Sequence, residues 1–171
     1  MDASAGYTVT GYSFGGYTAY AVAGARVDDP FSGASFDFSD PRANAVIGYA
    51  PWDGGGVLGD GMADITVPTL TIGAARDETV FRQYLPLHSA LTTTPRILAA
   101  FPDAGHYTFI EWCDVYLFDN GCGDSFVDLA TFKAEVTLGA AAFMGYLGGD
   151  TDALSVLESD PDLVTWTIET E

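Results

Sequence analysis

The chain has 171 residues, the length of one domain, and 48% of them are hydrophobic, which excludes an intrinsically disordered tail. Its 24 acidic residues against 6 basic ones give a net charge of −18, which argues against binding to nucleic acid or anionic membranes. No apolar run is long enough for insertion into a membrane. This acidity is typical of a halophilic protein, whose self-repulsion is screened by dissolved salt, and equally of an ordinary acidic surface.

Short strand-like runs alternate with longer helical ones along the chain. Runs rich in β-branched, aromatic or other apolar residues predict strands over 7–10, 43–49, 68–73, 96–101 and 163–169. Helices are predicted over 15–25, 80–91, 125–147 and 152–158, and Pro86 is expected to weaken or bend the second of them. The stretches 28–41 and 52–64 are rich in Gly, Ser and Asp, and are interpreted as surface loops.

This alternation predicts the fold class. Apolar strands separated by helices are typical of an α/β fold, in which a mostly parallel sheet is flanked by helices on both faces. No repeat or shift in composition divides the chain, so residues 1–171 are expected to form a single domain.

A serine between two glycines follows the first predicted strand. Gly11-Tyr12-Ser13-Phe14-Gly15 fits G-x-S-x-G, in which a strained strand-to-helix turn exposes a nucleophilic serine. A Cβ atom at Gly11 or Gly15 is expected to collide where helix and strand pass beneath the turn. The positive end of the following helix favours an oxyanion beside the serine. Ser13 is therefore the candidate nucleophile.

A serine nucleophile needs a histidine to take its proton. The chain has two: His88 falls within a predicted helix and is interpreted as a half-buried packing residue. His106 follows the fourth predicted strand, so it is expected at the same edge of the sheet as Ser13. His106 is therefore the candidate base.

The carboxylate that orients the histidine is expected to be Asp77, which follows the third predicted strand. The chain order Ser, Asp, His is the order expected of this arrangement. Asp53, after the second strand, and Asp103, three residues before the histidine, are the alternatives. Asp103 is expected to be too close in sequence to reach the far ring nitrogen.

Four segments together carry a family resemblance. GYSFGG, GYAPWD, VPTLTIGAARDETV and DAGHYTF resemble the second half of an α/β-hydrolase, over residues 7–147. Within that superfamily they are similar to the dienelactone hydrolase-like group, which includes platelet-activating factor acetylhydrolase-like lipases and polyester-degrading cutinases. The resemblance implies a catalytic triad of Ser13, Asp77 and His106. It also implies that the Phe14 N–H contributes to the oxyanion hole.

The same resemblance implies the substrate-binding residues. Trp52 matches a tryptophan that lines the acyl pocket in cutinase-like members, and Tyr12 and Tyr107, beside the nucleophile and the base, are assigned to substrate contact. The segment from Trp52 to Val67 is too short for a helical cap domain. A shallow, open pocket is therefore expected, suited to short acyl esters or to polymer chains lying across a surface.

The sequence departs from this family at its beginning. The family's sheet has several strands before the nucleophile strand, and a loop among them supplies the second oxyanion donor, but only six residues precede Tyr7. A reduced α/β-hydrolase fold is therefore expected, with an uncovered edge at the nucleophile strand. Three interpretations stay open: a missing N-terminal segment, pairing in a homo-oligomer, or a reduced hydrolase that uses another donor.

The two cysteines, Cys113 and Cys122, are interpreted as a disulfide, since Asp119-Asn120-Gly121 can turn the chain between them. A disulfide implies an oxidising compartment, and a cystine after the histidine loop is also similar to secreted members of the family. A secreted or periplasmic location is therefore expected. The residues after Met1 lack the pattern of a secretion signal, which a missing N-terminal segment would explain.

These patterns together predict a serine carboxylic ester hydrolase that acts on small-molecule or polymeric esters without a cofactor or a metal. Loop aspartates and glycines near Asp53 and Asp60 are too commonplace to indicate calcium. The alternatives are an acyltransferase or perhydrolase with the same triad, and a catalytically silent half-domain that serves in assembly.

Overall fold

The computed structural model describes residues 6–110, 128–159 and 164–171. Its strands are β1 (Tyr7–Tyr12), β2 (Val27–Asp28), β3 (Ser35–Phe36), β4 (Ala43–Tyr49), β5 (Thr69–Ala74), β6 (Arg96–Phe101) and β7 (Thr165–Glu169). Its α-helices are α1 (Phe14–Val22), α2 (Tyr84–Ser89) and α3 (Leu129–Leu147). Short 3₁₀ helices occupy Gly59–Asp64, His106–Phe109 and Ala153–Glu158.

Five of the described strands form one sheet in the order β1-β4-β5-β6-β7. The first four are parallel, and β7 runs antiparallel to β6. Every residue of β5 is buried, as expected for a parallel strand covered on both faces. The mostly parallel α/β sheet predicted from the sequence is therefore confirmed.

Helices cover the two faces of this sheet and divide the core into two clusters. On one face, Phe132 and Phe143 of α3 pack against Phe101 and other buried residues of the central strands. On the other face, Tyr20 of α1 and Leu87 of α2 belong to a second cluster of buried side chains. Because both faces are covered, the carboxyl ends of the strands remain the open edge at which loops can hold functional groups.

Some predicted boundaries were wrong for local reasons. The helix predicted over 15–25 spans Phe14–Val22 and ends before Gly24, whose φ of 113° suits a residue without a Cβ. The helix predicted over 80–91 is restricted to Tyr84–Ser89, because Phe81 and Arg82 take positive φ angles of 52° and 55°. The long helix begins at Leu129, with Asp128 as its N-cap, and residues 125–127 lie outside the described residues.

The two stretches interpreted as surface loops contain ordered structure. Residues 28–41 contribute to a short antiparallel hairpin formed by β2 and β3. Residues 52–64 include a 3₁₀ helix, and Leu58 and Met62 in this stretch are fully buried. The sequence did not indicate this burial, because glycine and aspartate dominate the stretch and its apolar residues are few and widely spaced.

His88 is more deeply buried than the half-buried packing residue that the sequence indicated. It lies on α2, only 5% exposed, and in the described parts of the chain neither ring nitrogen has a hydrogen-bond partner. Burial, with the positive charge of Arg96, lowers the pKa of His88 to about 4, against a partial opposing effect of Glu169. The folded protein therefore holds His88 neutral at pH values where the unfolded chain is protonated.

We expect His88→Leu to reduce the loss of stability in acid. Above about pH 6.5, His88 is neutral in both the folded and the unfolded protein, so its lowered pKa does not change the free energy of unfolding. As the pH falls from 6.5 towards 4, only the unfolded chain takes up the proton, and the folded state loses stability progressively. At about pH 4, this loss amounts to about 3 kcal/mol of unfolding free energy in the wild type, and it is absent from His88→Leu. Urea unfolding of both proteins between pH 7 and pH 4 measures it. Parallel pH profiles for the two proteins would contradict this account of His88.

Candidate active site

Ser13 stands at the sharp turn between β1 and α1. Its φ of 56° and ψ of −119° are rare for a residue with a side chain, so the surrounding structure must hold the turn in place. The Ser13 N–H donates to the Tyr49 carbonyl at 2.9 Å, and the Ser13 carbonyl accepts from the Trp52 N–H at 3.1 Å. Backbone bonds to the end of β4 and to the loop after it therefore fix this turn.

The glycines near Ser13 have different steric roles from those expected. A Cβ at Gly11 would overlap the carbonyl of Gly15, which confirms that this position needs glycine. The expectation for Gly15 was wrong, because a Cβ there meets nothing within 4 Å. The second tight position is Gly16, where a Cβ would lie 2.9 Å from the Cβ of Pro51. The close approach is thus between α1 and Pro51, the second residue after β4.

Three side chains from separate loops meet at the carboxyl edge of the sheet. His106, which follows β6, places its Nε2 atom 2.8 Å from the Ser13 Oγ. Its Nδ1 atom lies 2.7 Å from Oδ2 of Asp77, which follows β5. The structure therefore brings together the three residues that the sequence nominated for catalysis.

Burial and hydrogen bonding determine how the Asp77 carboxylate and the His106 imidazole interact. Asp77 is fully buried and His106 is 2% exposed, so water does not screen the interaction between them. The second carboxylate oxygen of Asp77 accepts from the Val80 N–H at 3.0 Å. A carboxylate at Nδ1 favours the imidazole tautomer whose proton is on Nδ1, which leaves Nε2 free to accept the Ser13 proton. The arrangement can thus deprotonate the serine and stabilise the resulting imidazolium.

The two rival carboxylates have other partners. Asp103 forms a surface ion pair with Arg76 at 2.7 Å. Asp53 accepts a hydrogen bond from the Gly55 N–H at 2.8 Å, and its own N–H donates to the Gln83 side chain at 3.0 Å. The second of these bonds ties the loop after β4 to the segment that follows Asp77.

The start of α1 supplies a donor beside Ser13. Phe14 is the first residue of the helix, so its N–H has no acceptor within the helix. The helix dipole places partial positive charge at the same end. An oxygen that becomes negative next to Ser13 Oγ would therefore be stabilised there, which is consistent with the oxyanion-donor role that the sequence analysis predicts for the Phe14 N–H.

Aromatic side chains border the serine. The Phe14 ring, 58% exposed, lies with its centroid 5.7 Å from that of Trp52 and 5.3 Å from that of Tyr17. Tyr107 packs edge-on against His106, with ring centroids 5.3 Å apart. Tyr17 was missed from the sequence, although its position one helical turn after Phe14 could have indicated that both share one face of α1.

Tyr12, which was assigned to substrate contact, makes two contacts with the base. Its hydroxyl donates to the His106 carbonyl at 3.1 Å, and the two rings are 5.0 Å apart. Burial, with the nearby Asp77 carboxylate and Tyr107, raises the pKa of the Tyr12 hydroxyl well above its usual range. A permanently protonated hydroxyl is suited to holding the histidine loop against β1.

Several other expectations concern metals, membranes and the cysteines. Within residues 6–110, 128–159 and 164–171, no cluster of three or more potential ligands could hold a metal ion. None of the helices in these ranges has the length and apolarity needed to cross a bilayer. Cys113 and Cys122 lie outside the described residues, so the disulfide stays a prediction.

Comparison with known proteins leaves the family unassigned. No family model matches the chain. No curated protein matches it either.

Proposed function

We propose that this protein is a serine carboxylic ester hydrolase with an α/β-hydrolase fold. The observation that carries the proposal is the pair of short contacts around His106, 2.8 Å to the Ser13 Oγ and 2.7 Å to the Asp77 carboxylate. The strained turn at Ser13 supports it, since side chains in such backbone conformations cluster at active sites. So does the location of all three residues after parallel strands, at the edge where α/β proteins bind ligands.

The proposed reaction has two halves. His106 Nε2 takes the Ser13 proton as Oγ attacks the ester carbonyl, and the Phe14 N–H donates to the oxyanion that forms. The tetrahedral intermediate collapses when His106 protonates the leaving alcohol, which leaves the acyl group on Ser13. Water then attacks the acyl-enzyme with His106 as base, and the carboxylic acid departs as Ser13 regains its proton. Asp77 keeps its negative charge throughout and stabilises the imidazolium.

The surroundings of Ser13 support a substrate with an apolar acyl part. Phe14, Tyr17 and Trp52 form an aromatic surface next to the nucleophile, and more than half of Phe14 is exposed. An exposed aromatic surface suits a short acyl chain or a polyester segment lying across the protein. A secreted or periplasmic location is also part of this proposal. It rests on the predicted disulfide between Cys113 and Cys122, which would need an oxidising compartment.

The experiment that tests the proposal follows the acyl group. The purified protein is mixed with p-nitrophenyl acetate, quenched in acid early in the reaction, and digested for peptide mass analysis. We expect a burst of p-nitrophenol and an acetyl group on Ser13. Hydrolysis without acylation of Ser13 would contradict the mechanism, and the absence of any hydrolysis would favour the catalytically silent half-domain.

A further inference from the structure

Gln83 joins two loops that border the candidate active site. Its side-chain oxygen accepts a hydrogen bond from the Asp53 N–H at 3.0 Å, between residues that are 30 positions apart. Gln83 stands directly before α2, at the end of the segment that follows Asp77, whereas Asp53 lies in the loop after β4. The mechanism described above uses neither Gln83 nor this hydrogen bond.

On the side of the acid, Gln83 is tied to Asp77 through the backbone. The Asp77 carbonyl accepts from the Arg82 N–H at 3.1 Å, and one Asp77 carboxylate oxygen accepts from the Val80 N–H at 3.0 Å. The Gln83 N–H donates to the Val80 carbonyl at 3.1 Å. These bonds hold Gln83 at a fixed position relative to the carboxylate that orients His106.

On the side of the nucleophile, Asp53 is tied to Ser13 through its neighbour Trp52. The Trp52 N–H donates to the Ser13 carbonyl at 3.1 Å. On the other side of Ser13, its Oγ contacts His106, which in turn contacts the acid. The bond between Asp53 and Gln83 therefore closes a ring of hydrogen bonds through the three loops that carry the site.

Backbone strain is concentrated in the segments that this ring connects. Within the described parts of the chain, the non-glycine residues with positive φ angles are Ser13 at 56°, Ala50 at 40°, Phe81 at 52° and Arg82 at 55°. Ala50 begins the loop that contains Asp53, and the last two residues come directly before Gln83. Such conformations persist only where surrounding contacts hold them, and they cluster at active sites. The contact between the two strained loops is thus part of what holds the site together.

We propose that Gln83 is a positioning residue for the ester hydrolase reaction. By accepting from the Asp53 N–H, its side chain holds the Trp52 loop against the acid loop, and with it the turn that carries Ser13. The Trp52 ring also lies beside Phe14, with centroids 5.7 Å apart, in the aromatic surface next to the nucleophile. Gln83 therefore affects both the attack by Ser13 and the fit of the acyl group. This inference rests on the proposed function.

Two substitutions at this position separate the hydrogen bond from the rest of the side chain. Gln83→Met removes the acceptor and keeps the length, whereas Gln83→Glu keeps an acceptor oxygen at the same place. For Gln83→Met we expect kcat to fall about tenfold with p-nitrophenyl acetate and butyrate, because a small displacement of the nucleophile lowers the rate steeply. KM should rise more for the butyrate, whose longer acyl chain extends further over the Trp52 ring. Gln83→Glu should recover most of both losses.

The matched control is Thr92→Val, which removes an exposed hydroxyl that donates to the Ala63 carbonyl at 3.1 Å. We expect it to retain the wild-type kcat and KM for both esters. Thermal unfolding shows whether each variant is folded. If Gln83→Met does not fold, Gln83→Asn replaces it, since its shorter side chain withdraws the acceptor from Asp53.

Hydrogen exchange followed by NMR tests the contact without reference to activity. The Asp53 amide should exchange faster in Gln83→Met than in the wild type or in Gln83→Glu. In an active enzyme, unchanged kinetics without the acceptor, or a loss that Gln83→Glu does not reduce, would overturn the role of Gln83. A wild type that hydrolyses neither ester would instead overturn the proposed function. Exchange at Asp53 that is unaffected by Gln83→Met would overturn the contact itself, whatever the activity.

Discussion

Ser13→Ala is expected to lower the hydrolysis of a short p-nitrophenyl ester by about 10⁴-fold or more, to the level left by binding and the oxyanion donor. The substitution removes the oxygen that attacks the ester but keeps the Cβ atom. Alanine at position 13 therefore has the same steric difficulty as serine in adopting the strained backbone conformation of this turn. Initial rates at saturating and at limiting substrate measure the effect on kcat and on kcat/KM.

The matched control for this variant is Ser155→Ala, which removes an exposed hydroxyl in the 3₁₀ helix Ala153–Glu158. We expect it to retain the wild-type rate. Thermal unfolding of both variants separates lost chemistry from lost structure. If Ser13→Ala remains folded and hydrolyses the ester at an undiminished rate, the nucleophile is another group.

Asp77→Asn is expected to lower kcat by about 10⁴-fold while leaving the fold intact. The reason is specific to this site, where one carboxylate oxygen accepts from the Val80 N–H at 3.0 Å and the other from His106 at 2.7 Å. In the variant, the amide oxygen is needed at Val80, so the amide NH₂ group faces His106 Nδ1. The imidazole must then carry its proton on Nε2, where it cannot accept the proton of Ser13.

Asp103→Asn is the matched control, since it makes the same chemical change in an exposed ion pair with Arg76. Exposed pairs contribute little, so we expect less than a twofold change in rate. Rates of the two variants, measured across pH with the same ester, decide the assignment. A larger loss in Asp103→Asn than in Asp77→Asn would contradict the role given to Asp77.

Much of the fold could be predicted because local and global preferences agree. The parallel strands β4, β5 and β6 read as short apolar runs, and the structure has β4 and β6 at the predicted bounds, with β5 shifted by one residue. The bounds predicted for the helix over 80–91 were wrong. The spacing of apolar residues there is helical, but it gives no sign of the positive φ angles of Phe81 and Arg82, which exclude both residues from the helix. Those angles belong to the segment that follows Asp77, where the Arg82 N–H donates to the Asp77 carbonyl at 3.1 Å.

The candidate site was predictable where chain order and sheet topology determine proximity. Ser13, Asp77 and His106 each follow a parallel strand, so a common edge follows from the α/β fold itself. Contacts that depend on side-chain packing were not accessible. The bond from Tyr12 to the His106 carbonyl joins residues 94 positions apart, and the close approach of Gly16 to Pro51 depends on how α1 crosses the end of β4.

Labelling with a fluorophosphonate tests most directly whether Ser13 is an activated nucleophile, since an unactivated hydroxyl reacts too slowly to be modified. The account predicts one label per chain, located on Ser13 by peptide mass, and lost when His106 is replaced by alanine. An unlabelled protein, or a label that persists at Ser13 without the imidazole of His106, would contradict it.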